Sequence, residues 1–67
     1  MEHYTDERIR ELIISCLDNQ RCIDERELYS INPDKNEAIE IIRRLSKEIS
    51  YDIEVNLGAD GNLHLTT

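Results

Sequence analysis

Apolar residues recur at helical spacing in three segments of the chain and alternate with polar residues in a fourth. In the first segment the apolar positions follow the i, i+3, i+4, i+7 pattern of an amphipathic helix, on residues Ile9, Leu12, Ile13, Cys16 and Leu17. Thr5 precedes them as a residue that can cap a helix N-terminus, and the acidic Asp6 and Glu7 suit the positive end of the helix dipole. The pattern predicts a helix over residues 5–18.

A second, shorter helix is predicted over residues 25–30. Asp24, with Glu27 three residues later, forms an acidic variant of the capping box that marks a helix start. Leu28 and Ile31 are then expected to face the core of the domain.

A longer helix is predicted over residues 33–50. Asn32 is expected to cap it, and Pro33 to occupy its first position, where a missing N–H costs nothing. Its apolar positions again recur at helical spacing, on residues Ala38, Ile41, Ile42, Leu45 and Ile49.

The hydrophobic period changes to two after residue 50. Strands are predicted over residues 51–57 and 62–66, joined by a turn that contains Gly58 and Gly61. The residues expected on the buried face of this hairpin are Tyr51, Ile53, Val55, Leu57, Leu63 and Leu65. The predicted fold class is therefore α+β, with three helices followed by a C-terminal β-hairpin in a single domain of residues 1–67.

The order of these elements resembles that of the winged-helix family of helix-turn-helix domains. The matching segments are Ile23 in a short first strand, "DERELYSI" as the second helix, "NPDKNEAIEIIRRLSKEI" as the third and "YDIEVNLGADGNLHLTT" as the wing. The resemblance covers nearly the whole chain and rests on element order and hydrophobic spacing. It implies a third helix that lies in the major groove of DNA and a wing that touches an adjacent groove or the backbone.

The charge of the chain argues against that use of the fold. Eight lysine and arginine residues oppose fifteen acidic ones, which gives a formal net charge of −7. Proteins gain affinity for nucleic acid largely by neutralising phosphates with lysine and arginine. The predicted third helix carries equal numbers of basic and acidic side chains, and residues 51–67 contain no lysine or arginine. A wing that grips DNA needs cations near its tip, so the distribution disfavours DNA as the partner.

The leading hypothesis is a small acidic regulatory module of winged-helix shape that binds another protein. Its carboxylates would occupy a basic, nucleic-acid-binding surface of the partner, and the module would act as an inhibitor or an adaptor. The residues predicted to contact the partner are Asp34, Glu37, Glu40, Asp52, Glu54 and Asp60.

The alternative hypothesis is a dimeric DNA-binding transcriptional regulator that uses the third helix. The residues predicted to contact DNA in that case are Lys35, Asn36, Arg43, Arg44 and Lys47. A competing interpretation assigns these cations to a solvated helix face, on which Arg44 would pair with Glu40 and Glu48, each four residues away.

Tyr4 and Ile14 are candidates for an apolar patch that binds a partner or forms a homodimer seam. On a helical wheel Ile14 points about 130° away from the centre of the apolar stripe of its helix. The competing expectation packs Ile14 against the hairpin. Tyrosine and isolated apolar groups are favoured at protein–protein contacts, which supports the patch.

The two cysteines and two histidines do not form a zinc motif. Cys16 and Cys22 are spaced more widely than zinc ligands usually are, and His3 and His64 lie near opposite ends of the chain. Both thiols are expected in the core. With no nucleophilic motif and no phosphate-binding loop, the chain is predicted not to be an enzyme and to bind no cofactor or metal.

The expected setting is the reducing cytoplasm, with no membrane contact. No apolar stretch approaches the roughly 20 residues that span a bilayer, and the N-terminus is charged rather than signal-like. Both thiols are therefore expected to be reduced.

Overall fold

The computed structural model describes residues 4–67, so residues 1–3 of the predicted domain, including His3, lie outside it. The described residues fold into three helices and a three-stranded antiparallel sheet, which confirms the α+β class. In chain order the elements are α1 (Asp6–Asn19), β1 (Cys22–Ile23), α2 (Glu25–Ile31), α3 (Lys35–Ile49), β2 (Glu54–Leu57) and β3 (Leu63–Thr66).

The first two helices begin where the sequence places them. The Thr5 hydroxyl accepts a hydrogen bond from the Arg8 backbone N–H at 3.2 Å, and the Asp24 carboxylate accepts one from the Glu27 N–H at 2.9 Å. Each side chain satisfies a backbone donor that the first turn of a helix leaves unpaired. At the other end of α1, Gln20 adopts a left-handed conformation with φ of 53° and closes the helix.

The predicted start of α3 is wrong by two residues. Asp34 caps the helix and accepts a hydrogen bond from the Asn36 N–H at 3.0 Å. Asn32 instead uses its side chain to accept from the Asp34 N–H at 2.8 Å, which forms a turn around Pro33. The Asp34 cap therefore replaces the predicted Asn32 cap, and Pro33 lies before the helix.

The sheet has the strand order β1-β3-β2, so the C-terminal hairpin is extended by the short first strand. Val55 pairs with Leu65, and Ile23 with Leu63. The hairpin prediction is correct in outline, but β2 starts three residues later than expected. Tyr51 is 84% exposed because it lies in the turn that leaves α3, where strand alternation does not apply.

Leu57 also departs from the expected burial, with 53% of its surface exposed. It ends the outer strand β2 next to the turn, whereas its cross-strand partner Leu63 lies on the central strand and is fully buried.

One core joins the helices to the inner face of the sheet. Its buried apolar residues are Ile9, Ile13, Cys16, Ile23, Leu28, Ile31, Ala38, Ile42, Leu45, Ile53, Val55, Leu63 and Leu65. The only buried polar side chain among residues 4–67 is Ser46, whose hydroxyl has no hydrogen-bond partner there. None of the helices in residues 4–67 has the length and apolar character that crossing a bilayer requires.

Candidate functional site

The six carboxylates predicted to contact a partner are all exposed, but they do not form one patch. Asp34, Glu37 and Glu40 lie at the N-terminal end of α3, and Asp52 and Glu54 follow its C-terminal end. Nine helical residues follow Glu40 before α3 ends, and each rises about 1.5 Å, so the two groups are separated by about 14 Å.

Three of these carboxylates already have local roles. Asp34 caps α3, Glu40 pairs with Arg43 at 3.5 Å, and Asp60 contacts the His64 ring in the hairpin. The other three form no salt bridge with any residue of 4–67 and remain available to a partner, namely Glu37, Asp52 and Glu54.

Most of the cations predicted to contact DNA are occupied as well. The Lys35 ammonium lies 2.9 Å from a carboxylate oxygen of Glu25. Lys47 donates to the Tyr51 carbonyl at 3.0 Å and sits 5.3 Å from the centre of the Tyr51 ring. Asn36 and Arg44 remain exposed.

The ion pairs expected for Arg44 are absent from residues 4–67. Glu40 pairs with Arg43 instead, three residues away along the helix. Glu48 pairs with Arg10 of α1, at 3.3 Å. The packing of α1 beside α3 offers Glu48 a cation that a helical wheel of α3 alone does not show.

Ile14 is exposed over 45% of its surface, so the expectation that it packs into the hairpin is wrong. Glu7, Glu11 and Asp18 are spaced seven and three residues before it and four after it, which places all four on one face of α1. We call these four residues the Ile14 ridge. None of its carboxylates forms a salt bridge with a residue of 4–67.

Tyr4 does not belong to the same surface as Ile14. Its ring packs partly buried against the core, and the Arg8 guanidinium lies 4.9 Å from the ring centre. Arg8 and Ile14 are separated by about 120° around α1. The predicted apolar patch of Tyr4 and Ile14 is therefore two separate features.

The two cysteines differ in their surroundings. Cys16 is fully buried, as expected, and burial raises the pKa of its thiol while the nearby Arg21 guanidinium partly opposes that effect. Cys22 was expected in the core but is only half-buried. It lies directly opposite His64 in the sheet register, and its sulfur approaches the Nδ1 atom of that ring at 3.0 Å.

The second ring nitrogen of His64 also has a contact. Its Nε2 atom lies 3.2 Å from one carboxylate oxygen of Asp60 and 3.3 Å from the other. The Asn62 backbone N–H donates to the same carboxylate at 3.0 Å. This backbone donor and the His64 ring hold the pKa of Asp60 below its usual value.

Gly58 makes room for this arrangement. A Cβ atom at that position would lie 2.6 Å from His64 Nε2 and 2.7 Å from Asp60 Oδ1, closer than real Cβ contacts allow. The chain of contacts from Cys22 through His64 to Asp60 was missed at the sequence level. Cys22 and His64 are 42 residues apart, and only the β1–β3 register brings them together.

A cavity of about 400 Å³ opens beside the Cys22 sulfur. It lies between the end of α1 and strand β3, and its lining includes Leu17, Gln20, Arg21, Cys22, His64 and Thr66. Arg21 also lines the cavity, and its guanidinium lies 3.5 Å from a carboxylate oxygen of Glu27. The residues that line the cavity therefore include a cysteine, a histidine and an arginine.

No cluster of three or more histidine, cysteine or acidic side chains in residues 4–67 is arranged to hold a metal ion. The Cys22 sulfur lies 3.0 Å from Nδ1 and 3.9 Å from Nε2 of His64, and Asp60 contacts Nε2. Comparison of the chain with protein-family models, with curated proteins and with solved structures found no match.

Proposed function

We propose that this protein is a small acidic regulatory module that binds another protein through a basic, nucleic-acid-binding surface of that partner. In this role it acts as an inhibitor or an adaptor, and it uses a winged-helix-like shape without the DNA contacts of that family. The observation that carries the proposal is the Ile14 ridge, an exposed isoleucine among three carboxylates that have no cation partner within residues 4–67.

The ridge has the composition of a protein contact. Burying the exposed part of Ile14 against a partner would contribute about 1 kcal/mol, since a fully buried isoleucine side chain contributes about 1.5–3 kcal/mol. Glu7, Glu11 and Asp18 surround it as a charged rim that favours a partner with lysine and arginine. Apolar burial supplies affinity, and the rim supplies specificity and a fast encounter.

The carboxylates left open on α3 and the hairpin support the same kind of partner. Glu37, Asp52 and Glu54 are exposed and free of salt bridges with residues 4–67. Together with the net charge of −7, they steer the module toward a basic surface and away from phosphate. We propose that the partner also contacts α3 and the hairpin, through Asp34, Glu37, Glu40, Asp52, Glu54 and Asp60.

The DNA-binding alternative has less support from the side-chain contacts. Lys35, Arg43 and Lys47 each contact an acidic side chain or a carbonyl group within the chain. A parallel two-fold dimer seam centred on Ile14 would place Glu7, Glu11 and Asp18 of one copy against those of the other. Like charges opposed in this way destabilise an interface, so we propose a monomer for the unbound protein.

The test is an affinity capture with the full chain as bait and duplex DNA as competitor. We expect a captured protein that duplex DNA releases, because both would occupy the same basic surface. Ile14→Ser should weaken capture about fivefold, which corresponds to about 1 kcal/mol, and Glu11→Lys should weaken it as well. Glu48→Lys is the matched control, since it makes the same charge change on an exposed helical residue outside the ridge.

A salt series with random-sequence duplex DNA and light scattering on the same samples completes the test. We expect no DNA binding at low salt and the mass of a monomer. Salt-dependent DNA binding that is lost in an Arg43→Ala, Arg44→Ala double variant would contradict the proposal and favour the dimeric regulator. Capture that is undiminished in Ile14→Ser and Glu11→Lys would remove the ridge from the contact surface.

A further inference from the structure

Cys22, His64 and Asp60 form a connected series of contacts on the outer face of the sheet. The Cys22 sulfur lies 3.0 Å from His64 Nδ1, and His64 Nε2 lies 3.2 Å from an Asp60 carboxylate oxygen. An ionised carboxylate only accepts hydrogen bonds, so Nε2 carries the hydrogen that points at Asp60. In the neutral ring Nδ1 is then the nitrogen without a hydrogen, and it is the ring nitrogen nearer to the Cys22 sulfur, which lies 3.0 Å from Nδ1 and 3.9 Å from Nε2.

A thiol in contact with an imidazole is the arrangement that prepares a cysteine as a nucleophile. The thiolate is the reactive form of cysteine, and an adjacent imidazole that accepts the thiol proton produces it. His64 touches the reacting sulfur and acts as the base. Asp60 acts through His64 and is a positioning residue, because it fixes the ring orientation and stabilises the imidazolium that forms.

The cavity beside Cys22 indicates what kind of molecule reaches the sulfur. Its volume of about 400 Å³ suits a small organic group and is too small for a folded domain. Arg21 is one of the residues that line the cavity, and its half-exposed guanidinium favours a carboxylate on that group.

We propose that Cys22 is a modification site that forms a mixed disulfide with anionic low-molecular-weight disulfides. The thiol proton moves from Cys22 to His64 Nδ1, and the Cys22 sulfur attacks one sulfur of the incoming disulfide. A new S–S bond forms as the incoming one breaks, and the departing thiolate takes the proton from the imidazolium. Cys22 is oxidised and the departing sulfur is reduced, so the incoming disulfide is the oxidant.

The charged groups that face Cys22 come from three directions. His64 and Asp60 approach from the hairpin, and Arg21 precedes Cys22 in the chain. Glu27 of α2 lies 3.5 Å from the Arg21 guanidinium and partly offsets its charge. The imidazole is the group in direct contact with the sulfur, so its removal is expected to change the reaction most.

Cys16 supplies an internal reference. It is fully buried, and burial raises the pKa of its thiol, so it is expected to stay unmodified while the chain is folded. Cys16 is therefore an internal control for Cys22, because both thiols are exposed to the same reagent in the same molecule.

The experiment incubates the full chain at pH 7 with oxidised glutathione and follows the modified mass and the modified peptide with time. We expect Cys22 to be modified before Cys16. In Cys22→Ser we expect this early modification to be absent. A thiol without a base is only a few per cent ionised at pH 7, and a stabilised thiolate is less nucleophilic. We expect a rate severalfold lower in His64→Gln than in the wild type, because the base in contact with the sulfur is gone.

Three further variants identify the roles of the neighbouring residues. Gly58→Ala should slow the reaction because its Cβ displaces the His64 ring. Asp60→Asn should shift the rate–pH profile to higher pH, a change that a purely structural role would not produce. Arg21→Gln should slow the reaction with oxidised glutathione but not with the neutral hydroxyethyl disulfide.

Circular dichroism of each variant shows whether the fold is kept, and His64→Asn tests the role of the histidine a second time beside His64→Gln. A Cys22 that reacts no faster in the folded chain than in urea would overturn the proposal. An unchanged rate in both His64 variants would do the same. Equal effects of Arg21→Gln on the anionic and the neutral disulfide would remove the preference for anionic ligands.

Discussion

Replacing Ser46 with alanine is expected to stabilise the protein. Ser46 is fully buried in α3, and its hydroxyl finds no hydrogen-bond partner within residues 4–67. A buried polar group left unpaired costs about 1–3 kcal/mol, and the substitution removes that cost. Alanine also favours the helix over serine by up to about 0.7 kcal/mol.

The loss of packing works in the other direction. Removing one heavy atom forfeits a handful of contacts, each worth about 0.1–0.2 kcal/mol, and so less than about 1 kcal/mol in total. The net expectation is a free energy of unfolding that rises by about 1 kcal/mol. For a domain of this size that raises the melting temperature by about 4–8 °C.

Urea and thermal unfolding followed by circular dichroism measure this change. Ser30→Ala is the matched control, since its hydroxyl donates to the Arg26 carbonyl at 3.0 Å and its removal breaks an existing hydrogen bond. We expect the control to gain nothing or to lose stability. A lower melting temperature in Ser46→Ala would show that the hydroxyl is satisfied in solution and would refute the reasoning.

Three other substitutions test the fold and its electrostatics. Gln20→Gly should raise the free energy of unfolding by up to about 1 kcal/mol, since glycine adopts the left-handed conformation found there without steric cost; a urea midpoint at or below that of the wild type would contradict this. Burial raises the pKa of Glu27, so this carboxyl favours folding below its unfolded pKa and loses that contribution as the pH rises through its folded pKa. Glu27→Gln should therefore gain stability relative to the wild type at pH 7 but not at pH 3, and an equal difference at both would be inconsistent with that linkage. The pKa of Asp60 is lowered, chiefly by the Asn62 N–H, so its contribution is present above the unfolded pKa and is lost as the pH falls through the folded one. Asp60→Asn should thus lose stability at neutral pH and match the wild type in strong acid, as acid titrations of both proteins would reveal.

The elements that depend on local sequence could be predicted well. Thr5 and Asp24 cap their helices as expected, because an N-cap needs only one side chain and the backbone two or three residues ahead. The start of α3 was harder, since Asn32 and Asp34 are both good caps and Pro33 is compatible with either. Asp34 becomes the cap because the Asn32 side chain accepts from the Asp34 N–H and forms a turn before the helix. Propensity scales for single residues do not describe such a turn.

Contacts between distant elements could not be predicted. The partner of Glu48 is Arg10 rather than Arg44, because α1 and α3 pack side by side. Cys22 was assigned to the core because it adjoins the buried Ile23, yet neighbouring residues on a strand face opposite sides of the sheet. The register that places Cys22 beside His64 is a property of the folded chain alone.

The composition of the Ile14 ridge, in contrast, could be predicted from the sequence. The helical wheel already set Ile14 apart from the apolar stripe, and the same wheel places Glu7, Glu11 and Asp18 around it. The packing that leaves Ile14 exposed was the missing part, since an isoleucine on that side of α1 could also have met a neighbouring element.

The two-residue length of β1 has a consequence for the order in which the domain assembles. Helices and the β2–β3 hairpin form from residues close together in the chain, whereas β1 joins β3 across about forty residues. Closing such a long loop costs entropy, and the few hydrogen bonds of a two-residue strand offset little of that cost. We therefore expect β1 to add to the sheet late during folding and to leave it first during partial opening. Slow amide exchange would then concentrate in the helices and the hairpin, while the Cys22 and Ile23 amides would exchange earlier.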